Sequence, residues 1–457
     1  MSAAAVPKPL ACEFACHAEL AKVVFGDAPL DQKAKAMHAI KEQTPLLRQL
    51  FAACDAAERH AVQAYLKTAD LPLLNTSALA TKKGIAFCAT FGRSGDQSCY
   101  MPPREIASVA LREGESIDWQ VISAGGRPGL YADDNYNFYY ASQCYGSFDL
   151  VDSFDREVLE SHAAWGADAF AVALNKDVPD MVYSRSHPVA SHLPAIAYKL
   201  QYPSVRWVAR MGDPLSMSVT NKRDHIPQVV PELSKYSDDY YESIELAIYD
   251  LADQVLVTNE NQFLHMHAYC RSQDLKAKFR DKAVVFAPPS LDSRYCDIHH
   301  SKYQLVNEVI NIAYFGIMFY RGRELRSFFE LLENPQVVLH IFAPVFPKQE
   351  LEAWSFSVAS LTDDALQNHA RVCVNDAVGN LEFLNIAQKM DYLYVEDLEF
   401  AGPINPYLPS KVADYRCAGS KILAKVQEGS ALSKIDHPDV IRFTEVTPDL
   451  LDSLAKQ

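Results

Sequence analysis

Apolar positions change their period along this chain. Over residues 1–80 they recur three and four apart, as in LDQKAKAMHAIKEQTPLLRQLFAACDAAERHAVQAYLKTADL, which is the spacing of amphipathic helices. Gly26 and the Thr44-Pro45 pair are the breaks in this helical segment. From Lys82 onward short continuous apolar runs alternate with helical patterns. GIAFCATF (84–91) reads as a buried strand followed by a helix over 103–112, and WQVISAGG (119–126) as a second strand. A helix over 154–176, a strand running into a helix over 179–200 and a strand in VRWVARMGDPL (205–215) follow. The helix from Tyr240 leads into a strand at Gln254–Val257. The alternation resumes at INIAYFGIMFYRGRELRSFFELL (310–332), with further strands at 337–344 and 370–379. Strands alternating with helices predict parallel sheets covered on both faces. Residues 127–149, rich in Tyr, Asn and Asp, have no helical period and read as an irregular connection or a sugar-stacking aromatic surface.

At 457 residues the chain suits two domains. The pattern divides it into a helical extension (1–80), a first Rossmann-like domain (81–295) and a second (296–457). Apolar residues make up 49% and charged ones 22%, as in an ordinary globular protein, and no apolar run is long enough to span a bilayer. The N-terminus lacks a basic stretch followed by an apolar core, so no secretory signal is expected. A net charge of −15 argues against a nucleic-acid partner. Ten cysteines without metal-type pairing suit a reducing, cytoplasmic setting, and Cys12, Cys16 and His17 read as helix residues rather than a metal site. The extension carries no chemistry of its own and reads as packing on the first domain or on a partner protein or subunit.

The chemistry concentrates in residues 379–428. Leu381, Leu384, Ala387 and Met390 mark an amphipathic helix, which leads into a strand at Tyr392–Val395. A Pro/Gly loop follows, then a helix opening near Ser410, a candidate N-cap, and closing at Gly419, a candidate left-handed terminator. Ligands of open α/β sheets sit beyond the carboxyl ends of the strands, and a helix N-terminus favours anions. Lys411 adds a full charge there, so the expectation is a phosphate site. Arg321 and Arg323, in the loop after the 310–315 strand, carry guanidinium forks suited to phosphate oxygens.

PYLPSKVADYRCAGSKILA (406–424) resembles the donor-binding segment of GT-B glycosyltransferases, close to glycosyltransferase family 4, with Lys411, Asp414, Tyr415 and Gly419 in matching positions. The resemblance implies a GT-B fold, two Rossmann-like domains facing across a cleft, and spans roughly residues 84–430. It places Asp414 on the ribose hydroxyls, and Gly316 at a strand end for close backbone approach to the donor. Where the commoner pattern has a second acid, this chain has Pro406; Glu396 and Glu399 lie on the same loop out of register. On the acceptor side it points to Arg93, Ser94, Ser186 and Glu260, with His187 and Asp213 as catalytic candidates. Asp213 could bind acceptor hydroxyls or orient Arg210.

The implied activity is transfer of a sugar from a nucleotide-diphosphate sugar to a glycan, lipid-linked or protein acceptor. It would be retaining, with no cofactor or metal, in the cytoplasm or at the inner face of a membrane. Such enzymes commonly serve polysaccharide biosynthesis. Two other readings stay open: a noncatalytic nucleotide- or glycan-binding module, and a sugar-nucleotide epimerase.

Overall fold

The computed structural model describes residues 6–455 apart from 67, 72, 75–78, 81, 90–100, 113–116, 125–146, 152–158, 187, 217–230, 317–324 and 344–370. The chain forms two compact units. One comprises Met1–Met217, Arg223–Leu256 and Arg271–Val284, the other Ser218–Lys222, Val257–Cys270 and Val285–Gln457.

The first unit opens with helices Lys8–Phe25, Leu30–Glu42, Thr44–Ala52 and Ala56–Leu66. Pro9 and Pro45 stand in first turns, where a missing N–H is harmless. The fourth helix starts with a reciprocal cap: Asp55 Oδ1 accepts from Glu58 N, and Glu58 Oε2 accepts from Asp55 N, both at 2.9 Å. Leu10, Phe14, Leu47, Phe51 and Val62 form the shared core of this extension. The pairing of Arg48 with Asp118 at 2.9 Å ties it to the sheet behind it.

That sheet contains β1 (Lys82–Phe87), β2 (Ile117–Ala124), β3 (Ser147–Val151), β4 (Met181–Arg185), β5 (Arg206–Met211), β6 (Gln254–Val257) and β7 (Ala283–Val285). Their order is β3-β2-β1-β4-β5-β6-β7, and β1 to β5 pair in parallel. The order reverses between β1 and β4, the doubly wound arrangement in which ligands bind at the reversal. The second unit repeats it with β8 (Ile310–Phe315), β9 (Val337–Ala343), β10 (Val372–Asp376), β11 (Tyr392–Glu396), β12 (Lys421–Lys425) and β13 (Val440–Phe443). Here all neighbours are parallel, in the order β10-β9-β8-β11-β12-β13. β8, β9 and β11 are buried along their whole length because helices cover both faces.

Two expectations shift. Ser147–Asp149, read as irregular, opens edge strand β3; an edge strand needs no continuous apolar run, so its aromatic and polar residues hid it. Ala283–Val285, where the sequence pattern marked no strand, closes the far edge of the same sheet. The second unit takes in the helix Glu260–Tyr269 from earlier in the chain and resumes at Val285.

Candidate functional site

In the second unit the reversal lies between β8 and β11, and residues singled out in the sequence gather there. β8 ends at Phe315, and Gly316 follows with φ +122, a conformation that disfavours side chains. Lys411 begins the helix Lys411–Ala418, and its Nζ donates to the Phe315 carbonyl at 2.6 Å. The same ammonium stands 4.0 Å from the centre of the Tyr314 ring. A Cβ on residue 316 would lie 3.2 Å from Lys411 Nζ, so the glycine keeps strand end and lysine together. Tyr415, one turn along the helix, takes the Phe315 N–H on its hydroxyl at 3.3 Å. One helix thus grips one residue at the carboxyl end of β8 through both its N–H and its carbonyl. The result is a positive charge held at the mouth of the reversal.

Ser410 occupies the position before this helix, but its backbone is already helical (φ −60, ψ −28) and its side chain makes no capping bond. The expected cap is therefore absent, and the residue is exposed. Gly419 ends the helix at φ +76, as its position in the sequence implied. Asp414 is only 2% exposed, so a ribose could reach its carboxylate only if the side chains around it moved. Arg321, Arg323, Arg93, Ser94 and His187 lie outside the described residues.

The loop between β11 and this helix is held by its own unit. Asn261 Nδ2 donates to the carbonyls of Asn405 and Gly429 at 3.0 and 2.8 Å, and Asn259 Nδ2 to that of Pro406 at 3.0 Å. Asn405 in turn donates to Leu398 O and Gln427 Oε1. Pro406 thus contributes a carbonyl to the scaffold where the resemblance places an acid. His265, on the same helix as Asn261, packs edge-on against Phe400, and burial lowers its pKa. Glu260 opens that helix and is exposed.

Beyond β11, β12 and β13 lies a cavity of about 860 Å³. Glu330, Glu333, Glu396, Asp397, Glu399 and Glu445 line it, and Lys425 is the one cation among the described residues that line it. Lys425 pairs with Glu396 at 3.2 Å. Such a lining repels phosphate.

In the first unit, the carboxyl ends of β4 and β5 carry Arg185 and Arg210. Both point at Glu105, on the helix Met101–Arg112, with Nε to carboxylate distances of 2.6 and 3.0 Å. All three are buried. Burial alone pushes the Glu105 carboxyl up, and the two guanidiniums more than offset it, so its pKa is lowered. Arg210 is thus oriented by Glu105, a residue the sequence did not single out. Ser186 is fully buried, its Oγ accepting from Gly212 N at 3.1 Å. Asp213 is half-buried in the bend after β5. That bend is braced by buried Glu245, which accepts from Leu215 N, Ser216 N and Ser216 Oγ at 2.7–2.9 Å. Burial raises the Glu245 pKa, and these bonds oppose the rise.

No family model matches the chain, and no curated protein matches it. Among solved structures it is similar to a glycosyltransferase from Rickettsia africae (13% identity, TM-score 0.48, covering 81% of this chain and 86% of that one). It is also similar to a UDP-GlcNAc 2-epimerase from Methanocaldococcus jannaschii (11% identity, TM-score 0.44, 81% and 91%). A third is an α-glucosyltransferase in complex with UDP and DNA (12% identity, TM-score 0.44, 76% and 80%). No helix among the described residues is long and apolar enough to cross a membrane. Among those residues no group of three or more His, Cys, Asp or Glu could hold a metal ion.

Proposed function

We propose that the chain is a nucleotide-sugar-dependent glycosyltransferase of the family 4 type that holds the donor's diphosphate at the β8/β11 reversal of its second unit. The observation that supports this reading is Lys411, fixed by the Phe315 carbonyl and the Tyr314 ring beside Gly316. Glycosyl transfer breaks the bond between the anomeric carbon and the diphosphate oxygen, and the electron pair leaves with the diphosphate. An acceptor oxygen bonds the same carbon and gives up its proton. The protein's part is to neutralise the growing charge on the leaving group and to align both partners. Lys411 does the first in this reading, and Arg321 and Arg323 are assigned to it from the sequence. The first unit takes the acceptor: a glycan, a lipid-linked sugar or a protein. The resemblance implies retention of configuration and no separate general base.

One observation favours a second reading, a noncatalytic nucleotide-binding module: Pro406 supplies only a backbone carbonyl, already taken by Asn259, where an acid would meet the sugar. Release of nucleoside diphosphate from a nucleotide sugar in the presence of acceptor separates the two. For the site itself, Lys411→Ala should weaken binding of UDP and inorganic pyrophosphate about tenfold or more, the size of one charge-assisted bond, and uridine binding far less. Equal losses for uridine and UDP in calorimetric titrations would remove Lys411 from the phosphate site.

A further inference from the structure

Two buried thiols meet behind the same helix. Cys417, in the last turn of Lys411–Ala418, has its Sγ 3.7 Å from Cys296 Sγ, on the short 3-10 helix Ser293–Asp297. Each sulfur also faces a backbone carbonyl, Cys296 that of Cys417 at 3.7 Å and Cys417 that of Asp292 at 3.4 Å. The two residues are 121 positions apart in the chain, so only the fold brings them together. We propose that Cys296 and Cys417 are a redox-convertible pair whose disulfide displaces the Lys411 helix and weakens anion binding at its other end.

Which side moves follows from the anchoring. The Cys296 carbonyl accepts from Asn385 Nδ2 at 2.9 Å and from Gln388 Nε2 at 3.0 Å, so its segment is clamped to the neighbouring helix. A disulfide needs the sulfurs at about 2.05 Å, well inside the present 3.7 Å, so Cys417 must approach Cys296. An eight-residue helix spans only about 12 Å and moves as a body. Its opening turn carries the Lys411 bond to Phe315 O, and Tyr415 holds the Phe315 N–H, so a shift at Cys417 disturbs both grips on the end of β8.

The oxidant is hydrogen peroxide, small enough to reach Cys417, which is 4% exposed against 1% for Cys296. The Cys417 sulfur attacks one peroxide oxygen, the O–O bond breaks, and water leaves, giving a sulfenic acid. The Cys296 sulfur then attacks the Cys417 sulfur and displaces a second water. Two thiols lose two protons and two electrons, and one peroxide becomes two waters. The Cys296 pKa is raised, first by its contact with Cys417 and then by burial, so its thiolate is scarce.

The effect on anion binding rests on the proposed nucleotide site, whereas the pairing of the thiols does not. The full chain is treated with hydrogen peroxide, digested without reductant and mapped by mass. UDP and inorganic pyrophosphate are titrated before oxidation, after it and after dithiothreitol. The expected result is a linked Cys296–Cys417 peptide lacking two hydrogens, about tenfold weaker UDP binding, and recovery on reduction. Cys417→Ser and Cys296→Ser proteins should keep their affinity through peroxide. Modification confined to other cysteines, the exposed Cys12 and Cys16 included, overturns the proposal, as does a linked peptide with unchanged affinity. Reduced protein that binds neither ligand overturns the nucleotide reading and the coupling together, while the linked peptide still decides the pairing.

Discussion

Glu105 shows how a single carboxylate organises a strand-end site. Arg185 and Arg210 leave adjacent strands with their guanidiniums pointing inward, and one buried carboxylate joins them. Removing one member of such a group leaves charge stranded in a low-dielectric interior. Glu105→Ala should therefore destabilise the first unit by about 3–5 kcal/mol in chemical denaturation, far beyond the loss of an exposed pair. A change under 1 kcal/mol would mean that the arginines find other anions (about the worth of a surface pair). His340 offers a second test. Its Nε2 faces Asn311 Oδ1 at 2.8 Å and its Nδ1 the Tyr303 hydroxyl at 2.7 Å, a pattern suited to a neutral ring. Burial lowers its pKa from 6.5 to about 4. Between those values the unfolded chain binds the extra proton, so stability is complete above the unfolded pKa and falls as the solution is acidified. The loss reaches about 3 kcal/mol by the folded pKa. His17, buried in the extension and lowered to about 4 by desolvation, acts in the same direction. Urea midpoints should drop as pH goes from about 7 to about 4.5, and flat midpoints would contradict this.

Between elements, the decisive contacts are those that hold a long loop without regular structure. Residues 397–410 have no strand or helix before Lys411, yet Asn405 and Pro406 are buried because the first turn of Glu260–Tyr269 takes their carbonyls. That turn is itself fixed by Asn259, whose side chain accepts from Gln262 N at 2.9 Å. Asn261→Ala removes two bonds to loop carbonyls and the contact with Lys434. The expected cost is about 1–3 kcal/mol, with faster amide exchange over 398–410 than elsewhere in the unit. Exchange that rose equally across the unit would place Asn261 in its general stability instead. Polarity in Thr258-Asn259-Glu260 was visible in the sequence, but whether such a turn meets substrate or scaffold is settled by what packs against it. Here Asn259 faces scaffold.

At the scale of the molecule, the two doubly wound units are not contiguous in the chain. The second takes in Val257–Cys270 and resumes at Val285. A fragment of residues 285–457 therefore lacks the helix that pins the 397–410 loop, and it should lose cooperative unfolding. A fragment of residues 255–457 should retain it, as judged by circular dichroism and denaturant titration. Equal cooperativity in both would show that the 260–269 helix is dispensable.

Much of the architecture follows from local pattern. The runs at Ile310–Phe315, Val337–Ala343 and Tyr392–Glu396 are continuous and apolar because both faces of a parallel strand are buried, and that property is written residue by residue. Gly419 at the end of its helix and Lys411 at the start are equally local matters of backbone freedom and charge. Edge strand Ser147–Val151 was not legible because an edge strand tolerates polar residues, and Ala283–Val285 because three apolar residues are too short a run to mark a strand without its neighbour. Nor were Glu105 between two arginines, Phe315 beneath Lys411, or Cys417 against Cys296, each joined across 80 to 121 positions of chain. By itself the sequence determined the buried strands, the main helices and the charge at a helix start, since these depend on near neighbours. Tertiary structure alone decided which charges meet, which are buried and which thiols touch, because pairing across distant segments depends on how the sheets are ordered.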